Sequence, residues 1–112
     1  MAVAIEELDD VRVIVLAERI DSGNAVQTEG VVKQALEGAS KILLDMEELT
    51  YISSAGLRVV LLAAKHVRAV PGSKMAVCGL AGNVRQVFEM SGFISLLSAY
   101  PDRLAALTAL RG

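Results

Sequence analysis

Cysteine, histidine and aromatic side chains are scarce. Among 112 residues there are one cysteine, one histidine and two prolines, no tryptophan, and an aromatic fraction of only 4%. A single Cys78 cannot form an internal disulfide, and in the run Met75-Ala76-Val77-Cys78 it reads as a small buried thiol. One His and one Cys fall short of a zinc ligand set, and the pairs Asp9-Asp10 and Glu47-Glu48 are expected to have no third or fourth partner nearby. A hydrolytic Ser54 would need a base, but His66 lies twelve residues along the same expected helix. That places it about 18 Å away and about 120° around the axis. Ile52 stands where a nucleophile elbow needs Gly, and Gly79-Leu80-Ala81-Gly82 lacks a phosphate-loop or dinucleotide pattern. No cofactor or metal is expected, and no enzymatic activity.

Charge and hydropathy exclude further classes. Eleven cations and thirteen acids are mixed along the chain, giving a net charge of −2. There is no sustained basic stripe for nucleic acid and no polybasic patch for a membrane. No apolar run approaches the roughly twenty residues that span a bilayer. The N-terminal run Met1 to Glu7 lacks a basic segment and turns acidic, so it does not read as a signal peptide. These features predict a cytoplasmic protein with no nucleic acid or membrane partner.

The chain is rich in aliphatic residues. Its apolar fraction is 54%, so Val, Leu, Ile and Ala must build the core, with some apolar surface left for a partner. The length fits a single domain over residues 1–112. Val3 to Glu7 and Val11 to Leu16 predict a β-hairpin around Asp9-Asp10. Asp21-Ser22-Gly23-Asn24 precedes a helix, with Asn24 and Gln27 at capping-box spacing. Val31, Val32, Ala35 and Leu36 mark that helix, Gly30 weakens its middle, and Gly38 ends it. Ser40 to Asp45 predicts a central strand, Ser54 to Val70 a second helix, and Lys74 to Cys78 a further strand after Pro71-Gly72. A third helix capped by Asn83 carries Val84, Val87 and Phe88 inward and closes at Gly92. Phe93 to Leu97 predicts a fifth strand and Asp102 to Leu110 a last helix. The order β-β-α-β-α-β-α-β-α implies an α/β domain with a mixed, mostly parallel sheet of about five strands and about four helices.

The step Tyr51-Ile52-Ser53-Ser54-Ala55-Gly56-Leu57 sets two hydroxyls at the start of the second helix. Backbone N–H groups lack partners there and the helix dipole is positive, which suits either a simple N-cap or a phosphate. Beyond it the polar side chains do not scatter. Ser54, Arg58 and Lys65 fall within about 40° of one another, with Leu61 and Leu62 at the edges of that stripe. Leu57, Val60, Ala64 and Val67 form the opposite, core-facing side.

The run Leu43 to Leu57 resembles the signature of STAS domains, in particular the small bacterial anti-sigma factor antagonists. Supporting matches are Ile20-Asp21, Val77-Cys78-Gly79 and Met90-Ser91-Gly92. The resemblance implies the STAS fold and a binding module controlled by phosphorylation. Ser54 matches the phosphoacceptor, and Gly56-Leu57 match the Gly-Leu that follows it. Ser53 stands where many members carry Asp, and Glu18 where Gly is frequent. Asp21 matches an Asp near the phosphoacceptor. The implied partner is an anti-sigma factor of the Ser/Thr kinase type, captured when Ser54 is unphosphorylated and released after phosphorylation, with a phosphatase as a second partner. Asp21, Ser53, Ser54, Gly56, Arg58, Leu61 and Leu62 are the expected contact residues. The alternative is a constitutive STAS scaffold in a sensory or lipid-transport complex, with no phosphoryl switch.

Overall fold

The computed structural model describes residues 3–111. Met1, Ala2 and Gly112, which begin the N-terminal run and bound the expected domain, lie outside the described residues. In chain order the elements are β1 (Val3–Leu8), β2 (Val11–Leu16), β3 (Glu18–Ile20), α1 (Ala25–Leu36), β4 (Lys41–Asp45), β5 (Leu49–Ile52), α2 (Ser54–Ala69), β6 (Lys74–Cys78), α3 (Gly82–Ser91), β7 (Ala99–Tyr100) and α4 (Arg103–Arg111).

The main sheet has five strands in the order β1-β2-β4-β6-β7. β1 and β2 are antiparallel, with Leu8 opposite Val11 across Asp9-Asp10. Asp9 adopts φ 55° in that tight turn, a conformation Asp tolerates better than a branched residue. The remaining pairs are parallel. From β2 the strand order advances in one direction, and right-handed crossovers then place every connecting helix on the same face. The side chains agree. Ile14, Ile42, Leu44 and Val77 point into one core with Val32, Val60 and Phe88 of the three crossover helices. Val13, Leu43, Ala76 and Cys78 point the other way, onto Ala106, Leu107 and Leu110 of α4. Burial on both faces explains why β2 and β4 read as nearly continuous apolar runs.

Two parts of the element order differ from expectation. First, β3 and β5 form a separate two-stranded parallel sheet. Glu18-Arg19-Ile20 and Leu49 to Ile52 are short, the first burying only Ile20 and the second only Leu49 and Ile52, so they carry no strand periodicity of their own. Second, Phe93 to Leu97 is not a strand. Phe93–Leu96 forms a 3₁₀ turn, and the fifth strand of the main sheet is β7. Gly92 ends α3 at φ 79°, the Ser91 hydroxyl accepts from the Phe93 N–H at 3.4 Å, and the Ser95 hydroxyl donates to the Gly92 carbonyl at 2.9 Å. These serines satisfy the backbone locally and compete with strand pairing. Asn83 is also displaced from its expected role: Ala81 occupies the N-cap, and no side chain caps α3. The Arg85 N–H donates to the Ala81 carbonyl at 3.2 Å, so the helix begins before Asn83.

Candidate functional site

Ser53 and Ser54 sit where β5 passes into α2. Ser53 is the N-cap: its backbone is extended and its hydroxyl accepts from the Gly56 N–H at 3.3 Å. Ser54 is the first helical residue, and its side chain is exposed. The N–H groups of Ser54 and Ala55 have no intrahelical acceptor, so this end combines an exposed hydroxyl with a positive dipole end. Gly56 lets the helix approach the small sheet. A Cβ there would stand 2.6 Å from Ile52 Cγ1 and 3.0 Å from Ile20 Cγ2, closer than packed carbon atoms allow.

Pairing of β3 with β5 brings Asp21 to the same end. Ile20 is opposite Ile52, and the Ser53 N–H donates to the Ile20 carbonyl at 2.9 Å. The Asp21 carboxylate is held within its own turn, accepting from Arg19 Nε and from the Gly23 N–H, each at 2.9 Å. These bonds, the Arg19 one first, hold its carboxyl below the usual range, so it is ionised at neutral pH. It makes no hydrogen bond to Ser53 or Ser54 among the described residues, and the two segments are joined through backbone. Asn24 does not form the expected capping box. Its side-chain Oδ1 accepts from the Asp21 N–H at 3.0 Å and its side-chain Nδ2 donates to the Arg19 carbonyl at 2.9 Å, clamping the turn.

A bulge between Glu18 and Arg19 sets the direction of this corner. Glu18 has φ 63°, a left-handed conformation that glycine adopts without cost. Its N–H donates to the Glu48 carbonyl at 2.9 Å, and the Thr50 hydroxyl donates to its carbonyl at 2.7 Å. Beyond the bulge, Arg19 lies over the Tyr51 ring at 4.7 Å. Sequence reasoning missed Arg19, which belongs to no recognised motif, and gave Tyr51 no role although it lies within the recognised run; their opposition exists only once β3 and β5 pair. It also missed Val26, 85% exposed in the first turn of α1. An isolated valine there offered no signal.

Along α2, Arg58 is exposed and Leu61 half-buried. Leu62 is half-buried too, lining a groove with Lys65 of the same helix and with Lys33 and Leu36 of α1. The structure therefore gathers Asp21, Ser53, Ser54 and Gly56 at one end, with Arg58 and Leu61 following along the helix.

A second polar cluster forms at the carboxyl end of the main sheet. Ligand atoms of Asp45, Glu47 and Cys78 lie within 4.8 Å of one another, a grouping hidden by their separation in sequence. Arg103 supplies its countercharge. Its guanidinium donates to buried Asp45 at 2.7 and 2.9 Å and to Glu6 at 3.2 and 3.3 Å, and its N–H donates to Glu47 at 3.2 Å. Burial, with the nearby Asp45 and Glu47, pushes the Cys78 thiol up to about 12, so it stays neutral at physiological pH. The cluster ties α4 to the sheet. Gly79 is part of this corner, since a Cβ there would stand 2.7 Å from the Glu47 nitrogen.

The family model of the STAS domain matches residues 2–106. The chain belongs to the STAS domain family. It is 40% identical over 112 residues to BtrV of Bordetella bronchiseptica, named as a candidate anti-sigma factor antagonist, covering 99% of this chain and 96% of that one. Among solved structures, an anti-sigma factor antagonist from Mycobacterium paratuberculosis superposes with a TM-score of 0.91 at 20% identity, covering 98% of this chain and 93% of that one. SpoIIAA in its unphosphorylated form gives a TM-score of 0.82 at 24% identity, covering 99% and 97%. The relatives are thus named as anti-sigma factor antagonists, and the solved structures share the fold of this chain. No helix among the described residues is long and apolar enough to cross a membrane.

Proposed function

We propose that this STAS protein is an anti-sigma factor antagonist in the cytoplasm, switched by phosphorylation of Ser54. The observation that carries the reading is the exposed Ser54 hydroxyl at the first position of α2, beside the Asp21 turn, while Ser53 does the capping. That division leaves Ser54 with no structural duty to lose on modification. Unphosphorylated, the surface built from Asp21, Ser53, Ser54, Arg58, Leu61 and Leu62, with the start of α2 set by buried Gly56, binds an anti-sigma factor of the Ser/Thr kinase type and so frees the sigma factor. A phosphate adds nearly two negative charges where the partner is complementary to a neutral hydroxyl, and the complex separates. A phosphatase resets the switch. The similarity to BtrV over nearly the full chain supports this class of partner.

The test is incubation with the candidate anti-sigma kinase and ATP, followed by location of the phosphate by mass spectrometry. The reading expects a single phosphate on Ser54 and none in Ser54→Ala, which binds the partner without regulation. Phosphate on Ser53 or Thr50 would remove the assignment. Absence of phosphate, with the partner still bound, would favour a constitutive scaffold.

A further inference from the structure

A cavity of about 310 Å³ opens at the far end of α2, between that helix, the edge of β6, the 3₁₀ turn and α4. It exists because Phe93–Leu96 is helical and β7 has only two residues, so the outer edge of β6 is covered for only part of its length. Arg68, which lines it, is fourteen residues beyond Ser54, about 21 Å along the helix. This site is therefore independent of the phosphoacceptor and of the function proposed for it.

Three features equip the cavity for an anion with an apolar body. The first is charge: Arg68 and Lys74 both line it. Of the eleven cations in the chain, only Arg58, Lys65, Arg68 and Lys74 make no ion pair among the described residues. Two of the four unpaired cations thus meet at one cavity. The second is unspent hydrogen-bonding capacity. The Ser73 hydroxyl is buried without a partner among the described residues, and Ser73 is part of the lining. The backbone adds to it. The N–H groups of Val77 and Gly79 donate towards β7, to Ser98 and Tyr100, at 2.9 and 3.2 Å, whereas that of Lys74 turns to Ser40 on the other side. By the two-residue alternation of a strand, Met75 faces the same way as Val77, and the pairing with β7 begins only at Val77. Its N–H faces the cavity side without a strand partner among the described residues. The third is an apolar wall contributed by Val67, Leu97 and Leu110. The volume lies at the small end of the range for ligand sites, about 300–1,000 Å³.

We infer that this cavity is a second binding site, taking a small monocarboxylate with an aliphatic tail. The head meets Arg68, Lys74, the Ser73 hydroxyl and the Met75 N–H, and the tail covers Val67, Leu97 and Leu110. A carboxylate satisfies all four donors, and each charge-assisted bond in a partly desolvated site outweighs its neutral counterpart.

Octanoate is the probe, with octan-1-ol lacking the charge and acetate lacking the tail. Titration calorimetry and amide chemical shifts on the full chain should show saturable octanoate binding with shifts centred on Ser73, Met75 and Val77. The alcohol and acetate should bind at least about tenfold more weakly. Arg68→Gln with Lys74→Gln should lower octanoate affinity by at least about tenfold while leaving the melting temperature unchanged, since the changes lie on the surface. Ser73→Ala should lower affinity and leave the fold as stable as before, because the hydroxyl it removes has no partner among the described residues. Absence of saturable binding, equal affinity for the alcohol, or shifts confined to the groove between α1 and α2 would overturn the assignment.

Discussion

Side chains of the main sheet such as Ile14, Leu43, Leu44 and Val77 are at most 1% exposed, under helices on both faces. In the two-stranded sheet, Glu18, Arg19, Thr50 and Tyr51 face solvent, and only Ile20, Leu49 and Ile52 are buried. The first sheet takes its stability from apolar area on both sides. The second has little area of its own and is positioned by a left-handed Glu18, a bulge and the close approach of Gly56. A region so built contributes less to folding and more to the direction in which Arg19, Asp21 and Ser54 are presented. Stability and presentation are thereby largely separated.

Substitutions can sharpen that separation. Leu44→Ala, in the centre of the main sheet, should cost about 2–5 kcal/mol by urea denaturation, since it leaves a cavity among rigid neighbours. Protein that remains folded should bind its partner normally. Gly56→Ala should cost about 1–3 kcal/mol, because the new methyl must displace Ile20 or Ile52, and calorimetry should show weakened partner binding as the start of α2 moves. Equal binding losses in these two variants would break the comparison. Ser53→Ala removes the acceptor of the Gly56 N–H and should cost about 1 kcal/mol, with Ser54 phosphorylation retained. Glu18→Gly should raise stability, by no more than about 1 kcal/mol, as relief of the left-handed strain is partly offset by a more flexible unfolded chain.

The main sheet was readable because burial on both faces leaves an aliphatic signature in Val11 to Leu16 and Lys41 to Asp45. The left-handed end of α3 at Gly92 and the core face of α2 followed from local chemistry in the same way, whereas which of Ser53 and Ser54 caps α2 emerged only from the geometry. The two-stranded sheet was not readable: three or four residues of which only Ile20, or only Leu49 and Ile52, are buried resemble a loop, and their pairing is long-range. The 3₁₀ turn at Phe93–Leu96 misled because its apolar composition suits a short strand, while Ser91 and Ser95 decide the local geometry. At the site, Ser54 and Asp21 were visible through resemblance. The positions of Arg19 and Tyr51 depended on a pairing that periodicity does not report, and that of Arg103 on a contact with Asp45 across 58 residues.

The central claim is that the Ser54 corner controls binding through local charge and leaves the fold alone. It is tested most directly by measuring the melting temperature and the partner affinity of the same protein with and without phosphate on Ser54. A phosphate at the first position of α2 meets free N–H groups and the positive helix end, which favour an anion by roughly 0.3–1 kcal/mol. The phosphorylated protein should therefore melt at the same temperature or higher, and bind the anti-sigma factor at least about tenfold more weakly, a loss of at least about 1.4 kcal/mol. A large fall in melting temperature on phosphorylation, or an affinity left unchanged, would contradict it.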